Sequence, residues 1–123
     1  MQMSRRVLSV IVLGVALSST VLLAHMALSK SLPAKDAVEA SKPAKVQLWF
    51  SQKPDLAVSK VTLTGPAGAV KLGTLAADAT EKSLAATVDG ETPDGAYTVA
   101  WQAAGDDGHV QKGEFAFSVR RTR

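Results

Sequence analysis

The sequence contains no cysteine, which excludes disulfide frameworks, thiolate metal sites, cysteine nucleophiles and lipid attachment through cysteine. Any bound metal must therefore use His, Asp, Glu, Met or backbone donors. Histidine is nearly absent too: His25 and His109 are the only two. Aromatic residues make up 5% of the 123-residue chain, and no stretch sustains an apolar stripe at helical spacing. At most, Ala76 to Lys82 can form a turn of helix. There is no internal repeat, no linker and no low-complexity segment, so one domain is the expectation.

Charge is scarce over the first 24 residues, where only Arg5 and Arg6 carry any. An uncharged, mostly apolar run follows from Val7 to Ala24. A basic head, an apolar stretch and a small residue form the layout of a secretory signal peptide. The alternative is an uncleaved anchor, because about 18 apolar residues just span a bilayer. Ser18, Ser19 and Thr20 soften the run and Ala24 is small, so residues 1–24 are read as a signal peptide cleaved after Ala24. The arginine pair is compatible with either general secretion or twin-arginine export. The remaining segment, 25–123, has 12 basic and 11 acidic side chains, a net charge of +1. Dispersed charge with that balance offers no electrostatic footprint for nucleic acid.

What is present is alternation. Val46, Leu48 and Phe50 alternate with polar neighbours, as do Tyr97, Val99 and Trp101, and Phe115, Phe117 and Val119. Shorter β-branched or apolar segments lie at 58–64, 69–72 and 84–88. Period-two patterns in such residues predict strands buried on one face. Turn signals separate them at Lys53-Pro54-Asp55, Gly65-Pro66-Ala67-Gly68, Asp89-Gly90, Thr92-Pro93-Asp94-Gly95 and Gly105-Asp106-Asp107-Gly108. The expected fold is all-β: a small antiparallel, immunoglobulin-like sandwich or barrel of about seven strands. Tyr97 and Trp101 read as core residues first and walls of a site second.

The chemistry has few places to reside. Cleavage after Ala24 makes His25 the first residue, with a free α-amino group whose reference pKa is about 8. That amine yields its proton to a metal more readily than a lysine does, and with its own ring nitrogen it can chelate one ion. Asp107 and His109 are two residues apart, a spacing that places both on one side of an extended segment. An amine, two imidazoles and a carboxylate make a tetragonal nitrogen and oxygen set that suits Cu(II). By itself, Asp-Asp-Gly-His is also an ordinary turn followed by a solvated histidine.

Three blocks carry a family resemblance. They are His25 to Ala34 (HMALSKSLPA), Pro43 to Ser51 (PAKVQLWFS), and Gly95 to Trp101 followed by Asp107-Gly108-His109 and Gly113-Glu114-Phe115-Ala116-Phe117. In order and in content they resemble periplasmic copper-resistance proteins of the CopC type. The resemblance implies an immunoglobulin-like domain that binds one Cu(II) through the amine and ring of His25, Asp107 and His109. It also implies a monomeric periplasmic carrier or buffer, not an enzyme, which sequesters copper or passes it to a copper-transporting membrane or periplasmic protein. Two features depart from the family. Met26 is the one methionine after Ala24, so a methionine-rich Cu(I) loop is lacking, and Val110 stands where proline is frequent. Two alternatives stay open: a copper-dependent oxidase of the lytic polysaccharide monooxygenase type, and a metal-free adhesion or structural sandwich if processing misses His25.

Overall fold

The computed structural model describes residues 25–122, so the signal peptide assigned to residues 1–24 lies outside the described residues. The described residues form nine strands in two sheets. In chain order they are β1 (Leu28–Leu32), β2 (Val38–Glu39), β3 (Lys45–Phe50), β4 (Lys60–Gly65), β5 (Gly68–Val70), β6 (Ala76–Asp78), β7 (Ser83–Thr87), β8 (Gly95–Ala104) and β9 (Val110–Val119). One sheet has the order β1-β3-β7-β6 and the other β2-β9-β8-β4-β5. All neighbours are antiparallel except the two-residue β2, which runs parallel to β9.

The alternation of the sequence is the packing between these sheets. Val46, Leu48 and Phe50 of β3 and Leu84 of β7 face Leu63, Tyr97, Val99, Phe117 and Val119 of the other sheet, all 3% exposed or less. Tyr97 and Phe117 are cross-strand partners whose rings stack at 5.4 Å. The Tyr97 hydroxyl donates to the carbonyl of Pro93. Burial pushes the Tyr97 phenol above its ordinary pKa, because the apolar surroundings disfavour the phenolate. Trp101 is only half-buried and meets the edge of the core, with its ring T-shaped against Phe50 at 5.2 Å. Trp49 lies on the outer side of β3, under the Lys30 ammonium and donating to Glu81.

Local chemistry moved several boundaries away from the alternation. Val58 belongs to a short 3-10 turn, Leu56–Val58, because the Asp55 carboxylate caps it by accepting from the Ala57 N–H at 3.0 Å. Residues 76–78 form an edge strand on β7, not a helical turn: pairing with Ser83 to Ala85 satisfies their backbone. The helical tendency is confined to the following turn, where Asp78 accepts from the Glu81 N–H and Lys82 has φ 56. The β8–β9 hairpin continues past its aromatic residues because small Ala103 and Ala104 are fully buried and extend the ladder to Val110. β1 lacks alternation altogether and is a strand through its pairing with β3. Among the described residues no helix is long and apolar enough to cross a membrane.

Gly65 marks the tightest approach in this core. A Cβ there would sit 2.2 Å from Cε2 and 2.6 Å from Cδ2 of Tyr97, a ring already held by Phe117 and Pro93. Gly65→Ala is expected to cost about 1–3 kcal/mol by overpacking. Urea unfolding should show a lower midpoint with an unchanged slope. A midpoint equal to the parent's would mean that the Tyr97 ring is not pinned.

Candidate metal centre

Two chain segments build one cluster. The first is the tip of the β8–β9 hairpin, Gly105 to His109. Gly108 adopts φ 76, a left-handed conformation that glycine takes without strain, and its N–H donates to the Gly105 carbonyl at 3.1 Å. Asp107 then accepts from the His109 N–H at 3.0 Å, the turn that aspartate makes with backbone two residues on. That bond fixes the carboxylate and the direction in which His109 leaves the turn. The tip is tied down from outside by Gln52, whose side-chain oxygen accepts from the Asp106 N–H at 3.1 Å.

The second segment is the start of the described chain. Met26 is 3% exposed and is part of the core cluster. Ala27 and Ser51 hold each other through two bonds of 2.9 Å, from the Ala27 N–H to Ser51 Oγ and from the Ser51 N–H to the Ala27 carbonyl. Leu28 pairs with Phe50. Residue 25 is thus set one step beyond a buried anchor, beside the hairpin tip.

The structure brings His25, Asp107 and His109 together. His25 Nδ1 lies 3.2 Å from Asp107 Oδ2, and His109 Nδ1 lies 3.5 Å from the same oxygen. The two imidazole centroids are 5.4 Å apart. One donor atom from each of the three residues falls within 4.8 Å of the others, and all three residues are solvent-exposed. Among the described residues this is the one group of three or more such side chains with metal-binding geometry. Met26 is placed differently from these three residues: its side chain belongs to the core, one step from His25. Sequence reasoning missed Gln52 and Ser51 as supports. No local signal marks them, since the Gln52 bond joins residues 54 positions apart.

The Asp107 carboxyl is held below the usual carboxylate range. The His109 backbone N–H is the main cause, with the adjacent His109 and His25 side chains adding to it. A depressed carboxylate favours the folded state above the ordinary value of about 3.9, and that contribution is lost as pH falls through the folded value. Because the largest cause is backbone, the carboxyl of Asp107 in His109→Ala should still titrate below the ordinary range, though less far below than in the parent. Carboxyl-detected NMR titration of both proteins checks this. An ordinary value in the variant would show that the imidazole, not the turn, holds the carboxylate.

Known proteins share this architecture. Residues 28–120 match the CopC domain. Copper resistance protein C of Escherichia coli is 33% identical over 118 residues, spanning 89% of this chain and 90% of that protein. Protein YobA of Escherichia coli K12 is 33% identical over 100 residues, 79% of this chain and 80% of its own. The crystal structure of PcoC, a methionine-rich copper resistance protein from Escherichia coli, superposes with a TM-score of 0.69 at 32% identity, covering 79% of this chain and all of that one. CopC from Methylosinus trichosporium OB3b shares the fold at a TM-score of 0.72 and 24% identity, over 80% of this chain and 97% of its own. With a fold, a domain match and relatives that all agree, the chain belongs to the CopC family of copper-resistance proteins.

Proposed function

We propose that this protein is a periplasmic carrier or buffer that sequesters one Cu(II) as cargo, held by His25, Asp107 and His109. Export and cleavage after Ala24 make His25 the first residue and free its amine as a further donor. The observation that carries the reading is the convergence of the only two histidines in the sequence with Asp107, His25 and Asp107 being 82 residues apart along the chain. Two donors bound at about 2 Å to one ion lie at most about 4 Å apart, so small rotations of exposed imidazoles close the set. Three nitrogens and one carboxylate oxygen suit tetragonal Cu(II), and no cysteine is available to favour Cu(I). The names of the relatives, copper resistance protein C and PcoC, point the same way.

A carrier fits the donor set better than an oxidase. The Asp107 carboxylate occupies a position that oxygen chemistry needs open. Exposure of the three side chains suits exchange of the ion with a copper-transporting membrane or periplasmic protein.

Protein beginning at His25 is expected to bind one Cu(II) per chain, with a tetragonal, nitrogen-rich electron paramagnetic resonance spectrum. His109→Ala should weaken binding by more than about tenfold, equivalent to about 1.4 kcal/mol, because it removes a whole metal bond. Asp107→Ala should weaken it less, since all nitrogens remain. Both variants should keep the parent's circular dichroism. Two equally tight ions per chain, or full affinity in His109→Ala, would contradict the assignment.

A further inference from the structure

A second feature lies along the flank of the sandwich, and its lining does not include the imidazoles. Between β1 and β9 runs a groove of about 470 Å³ whose apolar walls include Leu28, Trp101 and Phe115. Gly113 opens it: a Cβ at that position would come within 2.7 Å of the Trp101 indole, so glycine lets the ring lie against β9.

Both walls of this groove are sheet edges. β1 ends its sheet, with β3 as its one strand neighbour. β9 is covered on this side by β2 only at Ser118 and Val119, and by the Asp36 N–H at the Ala116 carbonyl. Among the described residues, Val110 to Phe115 of β9 have no strand partner on that side. Six residues of strand present about 20 Å of backbone edge. Such an edge recruits extended chains, with main-chain bonds supplying affinity and pockets supplying specificity. Three strongly exposed aliphatic residues lie on the bordering strands: Leu32 on β1, Val38 on β2 and Val110 on β9.

Charge selects the occupant. Lys35 and the stem of Lys30 line the groove against a single carboxylate, Glu114; the Lys30 ammonium sits at its outer rim over the Trp49 ring, and Lys112 lies two residues before Glu114 on β9. A second copy docking through the same flank would bring these lysines face to face. A small amphiphile would leave most of the 20 Å edge unpaired. We propose that the β1–β9 flank is a docking groove for an extended, acidic segment of a partner protein, with an apolar side chain seated against Trp101. Both walls begin at the metal end, β1 three residues after His25 and β9 immediately after His109. A docked segment therefore runs up to the imidazole pair. The proposal goes beyond the copper reading and does not depend on it.

The test uses metal-free protein with chelator present, so that its outcome is separate from copper binding. The probe is a blocked heptapeptide alternating glutamate with leucine or valine, titrated to millimolar concentration and followed by amide NMR. Shifts should concentrate in β1 and in Val110 to Phe117, with a change in tryptophan fluorescence. The double variant Lys30→Glu with Lys35→Glu, at exposed positions, should weaken binding by about fivefold or more while keeping the parent's amide spectrum elsewhere. A counterpart with lysine in place of glutamate should bind the parent more weakly. No binding at millimolar peptide, equal binding of the lysine peptide, or shifts centred on Gly105 to His109 would overturn the proposal. So would binding of 1-anilinonaphthalene-8-sulfonate to the groove without binding of the peptide, which would mark a small-molecule cavity instead.

Discussion

The position of residue 25 depends on Met26. Its side chain is buried in the core, and the two Ala27–Ser51 bonds immediately behind it stop the segment from sliding along β3. Burying a methionine contributes about 1.5–3 kcal/mol, and each bond adds about 1. A terminal segment would otherwise be among the least ordered parts of a domain. Here residues 26 and 27 are held against β3, so that His25 is the first described side chain to leave the core. The hairpin tip is fixed just as locally, by Gly108, by the Asp107 turn and by Gln52. Two independently anchored segments meet at one carboxylate oxygen, Asp107 Oδ2.

Much of the sandwich was legible because each central strand is buried on one face and the sequence alternates accordingly. β3, β8 and β9 follow this rule, and their alternating residues are the core. β6 was not legible. Ala76, Ala77 and Asp78 are all exposed, so no buried face exists to impose a period, and only the neighbouring β7 makes them a strand. Val58 was misassigned for a different reason: the Asp55 side chain competed for the backbone and made a 3-10 turn.

The site divides in the same way. Asp107 and His109 are readable from local spacing, because the turn that joins them is local. His25 is not, since its approach to Asp107 spans 82 residues and depends on Met26 and Ser51. Only the processing logic at Ala24 and the family resemblance supplied it. Met26, the one methionine after Ala24, is a core residue. The flank groove was invisible in sequence, because it arises where a two-residue β2 fails to cover a ten-residue β9.

On the proposed reading, the free amine of His25 is the donor that distinguishes this copper site from an exposed histidine pair. The most direct test compares Cu(II) binding by protein beginning at His25 with protein carrying one added residue before it. The added residue turns the amine into a peptide nitrogen, whose lone pair is delocalised into the carbonyl and is a poor donor. Affinity should fall steeply and the paramagnetic spectrum should change, and proteolytic removal of the extension should restore both. Equal affinity and identical spectra in the two forms would show that the amine is not a ligand, contradicting the account.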